Sequence, residues 1–470
     1  MPENFEQRVA ISYLQWLERR NEARRAHYND YREYYDGDAG YEVMERAAEF
    51  LDLPDHIEFD INICDIPVDT LSERLEVTGF SCDSDDQQVL LWEWWQQNRM
   101  DGQQKRVHRN ALRDGDAYVI VEWDNEEQRP RFVQEQAHNG SFGVEMVYGE
   151  DHKPQMAWRF WRVNRPGDAG YVRRKNNYYP DMVVKWISDA RQNSGKWMPY
   201  VENEGDPWPI PWVDGAGEPL GIPVIHFRNK GDDYGVSELK KAIPIQNLLN
   251  KAVADLIMSA DVDAFPILTM LGFSKGDVEN LRVGPGGILY NTKTDAKIGR
   301  IDAADLSRMM DLVDFFIIKM AQVTRTPISY FQQSRQMPSG ESQKQGESPL
   351  LAKIKDRHIP FGNAWENVLR MGRRLYNTFG PGGLDETLDI STEWADAQTR
   401  NDKEEAETAK LHRELGVPEP VLWARLGYSG EEIEAIKASP EYQARRALAN
   451  MNLSFGEMRA QDESRGGQNE

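Results

Sequence analysis

The stretch from Gly235 to Pro349 constrains this chain more than any other. Two apolar-striped helical segments bracket a short Gly/Pro-rich β module, and a polar segment follows at once. Along Pro244–Asp261, Ile245, Leu248, Leu249, Ala252, Val253, Leu256, Ile257 and Ala260 recur at the i, i+3, i+4, i+7 spacing of one helix face. Pro244 suits a first helical position, where its missing N–H costs nothing. Along Leu306–Val323 the pattern returns in Leu306, Met309, Met310, Val313, Phe316, Ile317, Met320 and Val323. Thr326-Pro327 ends that segment, because the residue before a proline disfavours the α region. Between the two, Phe265–Leu271, Gly287–Tyr290 and Lys297–Ile301 read as strands around a Gly284-Pro285-Gly286-Gly287 turn. Ser329–Gly346, SYFQQSRQMPSGESQKQG, has the composition of a flexible loop. A helix, a β tip, a returning helix and a loop form a projecting stalk more naturally than the pocket of a metabolic enzyme.

A chain of 470 residues can bury a large core and has room for two or three domains. Its formal charge of −22 argues against a surface that grips nucleic acid throughout, since phosphate binding needs Lys and Arg. The same charge is compatible with a surface that lets nucleic acid slide past. Cys64 and Cys82 are too few for a disulfide framework and lack metal-ligand spacing, so a reducing compartment is expected. The segment MPENFEQRVA has no basic start followed by an apolar run, and no stretch reaches about 18 uninterrupted apolar residues. A soluble protein without signal peptide or membrane span is expected.

The remaining chain reads as an α+β fold, mainly helical. Residues 4–35 predict a long helix ending at Tyr34-Tyr35-Asp36-Gly37, with Gly37 as left-handed cap. A second helix is expected at Val43–Leu51, and Asn62–Asp69 leads into a helix through Leu75 and a strand at Glu76–Phe80. Asp85–Asn98 is helical, with Leu91, Trp92, Trp94 and Trp95 as an aromatic anchor. Gln103–Arg113 continues as helix, and Gly115 turns the chain into a strand at Ala117–Trp123. Short β segments follow at Arg131–Gln134, Gly143–Tyr148, Met156–Val163, Tyr171–Arg174 and Met182–Ile187; after the Trp/Pro/Gly loop Pro207–Pro223 comes a strand at Pro223–Arg228. Pro349–Phe379 predicts a long helix kinked at Pro360–Gly362. A strand at Leu388–Trp394, a charged helix at Ala395–Leu415, two short helices opening at Val417 and Ser429, and a disordered tail from Arg459 complete the reading.

Searches for catalytic constellations fail. There is no G-x-x-x-x-G-K-[ST] phosphate loop, no G-x-G-x-x-G between strand and helix and no H-E-x-x-H. His27, His56, His108, His138, His152, His226, His358 and His412 are scattered without metal-ligand spacing and read as surface or packing residues. Asp36 and Asp38 beside Gly37 lack the glutamate a calcium loop needs, so a helix-ending turn is the better reading. Ser339-Gly340-Glu341-Ser342 has no identifiable base partner and reads as loop rather than nucleophile.

Several ordered motifs carry a resemblance: Tyr34-Tyr35-Asp36-Gly37, Asn62 with Val68-Asp69, Ala111-Leu112-Arg113-Asp114-Gly115-Asp116-Ala117-Tyr118, and Ile222-Pro223-Val224-Ile225-His226-Phe227 with Gly235-Val236-Ser237-Glu238-Leu239. Further on stand Thr326-Pro327 with Tyr330-Phe331, Pro338-Ser339-Gly340-Glu341-Ser342 and Trp394-Ala395-Asp396. Together, from about residue 30 to 435, the chain resembles the portal proteins of tailed bacteriophages, in the siphophage branch. The resemblance implies a portal fold: wing at 1–234, stem helix at 235–263, clip at 264–304, second stem helix at 305–327, tunnel loop at 328–348, long wing helix and strand at 349–399, crown and tail at 400–470. It implies a homo-oligomeric, usually dodecameric ring at one capsid vertex of the virion, assembled in the host cytoplasm. Such a ring is the channel for packaging and ejection of double-stranded DNA. It docks the terminase motor and later the head-completion proteins, meets capsid and scaffolding proteins, and has no membrane partner, no cofactor, no metal and no catalysis of its own.

Placed on that frame, Gln332, Gln333, Arg335, Ser339, Gln343 and Lys344 are the expected DNA-facing tunnel-loop residues. Lys275, Asp277, Glu279, Lys293 and Lys297 are the expected clip contacts to the terminase, while Phe265, Pro266, Ile267, Ile288 and Leu289 hold the tip together. Leu248, Leu249, Val253, Leu256, Ile257, Met309, Val313, Phe316, Ile317 and Met320 are the expected stem residues packing between subunits. A helix of about 18 residues reaches roughly 27 Å, enough to carry a tip clear of the body. Two alternatives come from other classes: an enzyme acting on nucleic acid or glycans with Pro207–Trp212 as a binding lip, and a non-portal structural protein of a virion.

Overall fold

A computed structural model describes residues 16, 19, 22–39, 41–42, 58–59, 61–164, 171–188, 196–264, 268–271, 297–300, 305–332, 340–398, 410–415, 417, 419, 422–423 and 430–444. The chain divides into two compact units, Met1–Ala397 and Gln398–Glu470. The expected helix at Val43–Leu51, the strand at Gly287–Tyr290 and the tail from Arg459 lie outside the described residues.

The first unit opens with α1 (Glu22–Asp36), which ends at Gly37 in the left-handed region, as the sequence suggests. Two-residue strands β1 (Tyr41–Glu42) and β2 (Glu58–Phe59) pair, and α2 (Asp65–Ser72) leads to β3 (Val77–Cys82). In α3 (Asp85–Gln97) the Ser84 side chain caps the first turn by accepting from the Gln87 N–H, and Asp85 and Asp86 sit where the helix dipole favours negative charge. Arg99, with φ of 55°, breaks the run and starts α4 (Met100–Asp114) at a new angle.

The strands β4 (Asp116–Asp124), β5 (Arg129–Gln136), β6 (Gly143–Tyr148), β7 (Pro154–Asn164), β8 (Tyr171–Tyr178), β9 (Met182–Ser188), β10 (Met198–Pro199), β11 (Ile210–Pro211) and β12 (Val224–Arg228) follow. They form two antiparallel sheets, β12-β4-β5 and β10-β9-β8-β7-β6, with β11 added to β9. Then come α5 (Ile243–Ala264), the pair β13 (Leu268–Leu271) and β14 (Lys297–Arg300), and α6 (Leu306–Thr324). The long α7 (Gly340–Phe379) and β15 (Ile390–Trp394), which pairs with β3, complete the unit. In the second unit, α8 (Gly430–Ala438) buries Ile433, and the Trp423 and Tyr442 rings meet edge to face at 5.3 Å. The chain is thus mixed α+β.

The two-residue period of a strand decides which core each side chain joins. On β4, Ala117, Val119 and Val121 enter the helical core with Leu112, Phe227, Phe361 and Trp365, whereas Tyr118 and Ile120 face Val144, Met146 and Val183. The second sheet repeats this, with Ala157 on one face and Met156 and Trp158 on the other. Trp95 and Phe227 meet Trp365 of α7 at 4.9 and 4.5 Å between ring centres, so the Trp-rich helix does anchor the body.

Two segments differ from expectation. Residues 395–398 are not helical; the Ala395 N–H donates to the Glu76 carbonyl at 2.8 Å, which prolongs the β15–β3 ladder and keeps the backbone extended. The polar segment expected to be loop through Gly346 is already helix from Gly340. Glu341, Gln343, Lys344 and Gln345 are good helix formers, and polarity alone does not separate an exposed helix from a loop.

Candidate functional site

The helix pair α5/α6 leaves the body at a tightly built base. Gly115 and Gly235 touch through their backbones: a Cβ on Gly235 would lie 1.8 Å from the Gly115 carbonyl oxygen. Only glycine permits that approach. The buried Asp116 carboxylate receives the Gly235 N–H at 2.6 Å, the Tyr28 hydroxyl at 2.6 Å and His226 Nε2–H at 2.8 Å, while the Tyr148 hydroxyl donates to His226 Nδ1 at 2.7 Å. Burial opposes the charge on Asp116, but the His226 and Tyr28 hydrogen bonds outweigh it and keep its pKa low; burial keeps His226 neutral. Ser237 Oγ donates to the Arg113 carbonyl and accepts from the Leu239 N–H at 2.9 Å, capping the turn Glu238–Lys241 that precedes α5.

Glu238 ties this turn to both long helices. Its carboxylate lies 2.7 Å from Lys230, 2.8 Å from Lys353 and 3.1 Å from Arg357. Burial would raise its pKa, yet Lys353 and Lys230 hold it down to about 2. Lys353 of α7 also donates to the Thr324 carbonyl, at 2.9 Å, in the last turn of α6. Gln246 near the start of α5 accepts from the Ile63 N–H at 3.2 Å and donates to the Ile61 carbonyl, and the Tyr34 hydroxyl donates to Asn247 at 2.6 Å. Short-range sequence reading missed this base, because most of its partners lie from about 30 to more than 100 residues apart; the signal was the polar content of Gly235–Lys241.

Farther out, the two helices pack on each other while much of their apolar surface stays uncovered. Of the expected packing residues, Leu249, Val253 and Met320 are buried, Leu256, Met309, Val313, Phe316 and Ile317 are half-buried, and Leu248 and Ile257 are exposed. Met320 joins the core with Leu350 and Ile354, so it is covered within its own subunit. Met310, Leu312, Phe315, Ile318 and Val323 are exposed as well, at 59, 46, 48, 43 and 39% of their surface. They lie on α6 beyond its seam with α5, beside and among the polar Arg308, Asp311, Asp314 and Gln322, and leave apolar surface that a single chain does not cover. The i, i+3, i+4 template took in Met310 and Val323 but passed over Leu312, Phe315 and Ile318.

Gln332 donates to Asp314 at 2.8 Å, which holds the start of the polar segment against α6. Gln333, Arg335 and Ser339 lie outside the described residues, and Gln343 and Lys344 sit in the first turns of α7. Arg74 donates to the Tyr330 hydroxyl at 2.7 Å and pairs with Glu347 at 3.2 Å, so one guanidinium pins both ends of the polar segment. Lys297 is exposed at the start of β14; Lys275, Asp277, Glu279 and Lys293, like Phe265, Pro266, Ile267, Ile288 and Leu289, lie outside the described residues.

The described histidines divide as follows. His108 is buried, its Nδ1–H on the Leu75 carbonyl at 3.0 Å and its Nε2 receiving the Trp365 indole at 2.9 Å. His138 stacks on Phe160 and His358 on Trp394, while His27 and His152 lie at the surface beside Asp30 and Asp233. Among the described residues no group of three His, Cys, Asp or Glu could hold a metal ion, and no helix is long and apolar enough to cross a membrane. A family model described as phage portal protein, SPP1 Gp6-like, matches residues 14–446. The portal protein of Mycobacterium phage D29 is 24% identical over 410 residues, covering 81% of this chain and 79% of its own. That of Mycobacterium phage L5 is 23% identical over 408 residues, covering 81% and 78%.

Proposed function

The chain belongs to the SPP1 Gp6-like family of phage portal proteins, which are structural rather than enzymatic, and we propose from that premise how its parts divide the work. The family implies an oligomeric ring that meets DNA and terminase at a capsid vertex of the virion. Our reading is a dodecamer whose stem is built from α5 and α6, whose clip is the segment 264–304, and whose tunnel loop lies between α6 and α7. The body on either side forms the wing, and the second unit forms the crown. Head-completion, capsid and scaffolding proteins are the further partners of such a ring.

The observation that carries this reading is the uncovered apolar surface of the helix pair. Met310, Leu312, Phe315 and Ile318 on α6, with Leu248 and Ile257 on α5, are exposed in the single chain. Full burial of a side chain of this size is worth about 1.5–3 kcal/mol, so half-exposed ones retain on the order of 1 kcal/mol each for a neighbour to collect. A ring supplies that neighbour twice, once on each side. The net charge of −22 per subunit repels DNA from a channel wall, and the polar segment ending in Gln343 and Lys344 offers transient phosphate contacts instead.

The mass and symmetry of the purified particle test this assignment. Rings with a central channel support it, and a compact monomer at micromolar concentration overturns it. Deleting Gln333–Gln343 should leave rings intact and impair packaging; normal packaging by that variant removes the tunnel-loop assignment while sparing the stem.

A further inference from the structure

The exposed faces of α3 and α4 carry opposite charge in matching order. On α3, Asp85, Asp86, Val89 and Glu93 share one side of the helix and are all exposed, Val89 at 59%. A branched apolar side chain thus stands in water, with two carboxylates one turn before it and one a turn after. On α4 the solvent face is Gly102, Lys105, Arg106 and Arg109, at the i, i+3, i+4, i+7 spacing, and Arg99 stands exposed just ahead of the helix. Here a gap takes the place of the knob, since a Cβ on Gly102 would meet nothing within 4 Å.

Neither face is accounted for within one chain. The helix dipole favours Asp85 and Asp86 in the first turn of α3, but it fades before Glu93 and gives Val89 no reason to be apolar. The side chains of Asp85, Asp86, Glu93, Arg99 and Lys105 make no hydrogen bond or ion pair among the described residues. Arg109 lies beside the Tyr35 hydroxyl, and Arg106 lies near Glu135, which Arg159 already holds at 2.6 Å. Glycine is a poor helix former, and the close backbone approach that requires it at Gly115 and Gly235 is absent at Gly102. Val89 and Gly102 do not meet inside the chain, because one is exposed and the other faces open space.

We propose that α3 of one subunit packs antiparallel on α4 of a second copy of this chain, with Val89 seated at Gly102. In that alignment Asp85 and Asp86, one turn before Val89, face Lys105 and Arg106, one turn after Gly102, and Glu93 faces Arg99. A parallel alignment would set two carboxylates against Arg99 alone and Glu93 against two cations. The two faces differ, so each subunit offers α3 to one neighbour and α4 to the other, which is the head-to-tail contact of a closed ring. This contact rests on the ring assigned above and adds to the helix pair a second seam between subunits.

Mass photometry of the full-length chain along a dilution series gives the concentration at which half the subunits are in rings, with circular dichroism as the check on folding. Asp85→Lys with Asp86→Lys should raise that concentration about tenfold or more, and so should Lys105→Glu with Arg106→Glu. The chain carrying all four changes should return to the native value, because unlike charges then face each other again. A loss that arose only from the dipole of α3 would not be recovered by changes on α4. Gly102→Gln, which fills the gap with a good helix former, should weaken assembly without loss of helix. Unchanged assembly in both charge variants, no recovery in the fourfold change, or loss of DNA binding by the α4 variant with its rings intact overturns this contact while the ring stands. A native chain that forms no rings overturns both.

Discussion

Replacing Glu238 by Gln removes one charge and little volume from the base of the helix pair. The carboxylate is 4% exposed and faces Lys230, Lys353 and Arg357 within 3.1 Å. In the folded chain its pKa falls from 4.5 to about 2, driven by Lys353 and Lys230 against the opposing effect of burial. That difference corresponds to about 3 kcal/mol of folding stability at neutral pH. A carboxyl with a depressed folded pKa contributes its full share above the unfolded value, here 4.5, and loses it as pH falls towards 2. About 2 kcal/mol should be gone by pH 3. In Glu238→Gln the contribution is absent at every pH, and Lys353 and Arg357 stay buried without their counter-charge. For a unit of this size, about 3 kcal/mol lowers the melting temperature by about 4 °C. Thermal unfolding of native and variant protein, at one concentration across pH 3 to 7, measures this. The two melting temperatures should differ most at pH 7 and converge on acidification. A variant melting within 1 °C of native at pH 7, or a gap that stays constant with pH, would refute the assignment of Glu238 as an ionised clamp.

Two further perturbations follow from the same geometry, and a third tests the clip assignment made from the sequence. Gly235→Ala drives a Cβ into the Gly115 carbonyl oxygen at 1.8 Å, and chemical denaturation should register a loss of about 3 kcal/mol or an absence of folded protein. The double change Phe315→Asp, Ile318→Asp puts two charges on the uncovered face of α6; circular dichroism should stay native while mass photometry shifts from rings to single subunits. Reversing Lys275, Lys293 and Lys297 to Glu should weaken terminase binding about tenfold in a pull-down titration with rings intact, and unchanged binding counts against that surface.

Local pattern carried the helices and strands well, because most of these elements show the 3.6- or 2-residue period, and β4 and β6, buried on both faces, are short apolar runs bounded by turn residues. The helix pair was bounded to within about three residues at each end for this reason. What sequence could not supply was long-range pairing. Asp116 with His226, Glu238 with Lys353, and Arg74 with Glu347 bring together residues whose neighbours in the chain give no hint of a partner. Nor did periodicity separate the Leu249 and Val253 side of α5, closed within one chain, from the exposed Ile257. Where the reading failed locally, at Ala395 and at Gly340–Gly346, polar composition stood in for backbone conformation, and a β ladder and a helix both proved compatible with it.

The base of the helix pair has a mechanical meaning. Helix α5 has 22 residues and reaches about 33 Å, and the β13–β14 ladder ties its far end to that of α6. A sideways displacement of 1 Å at that end turns a rod of this length by only about 2°. The turn is delivered to Glu238, just ahead of α5, and to the Thr324 carbonyl at the end of α6, both of which Lys353 grips. The body's long helix α7 therefore receives torque through two cationic side chains, Lys353 and Arg357, both of which hold Glu238. Glu238 and Lys353 act as the fulcrum of a lever, and a load at the tip is converted there into a change in the length of a few charged contacts.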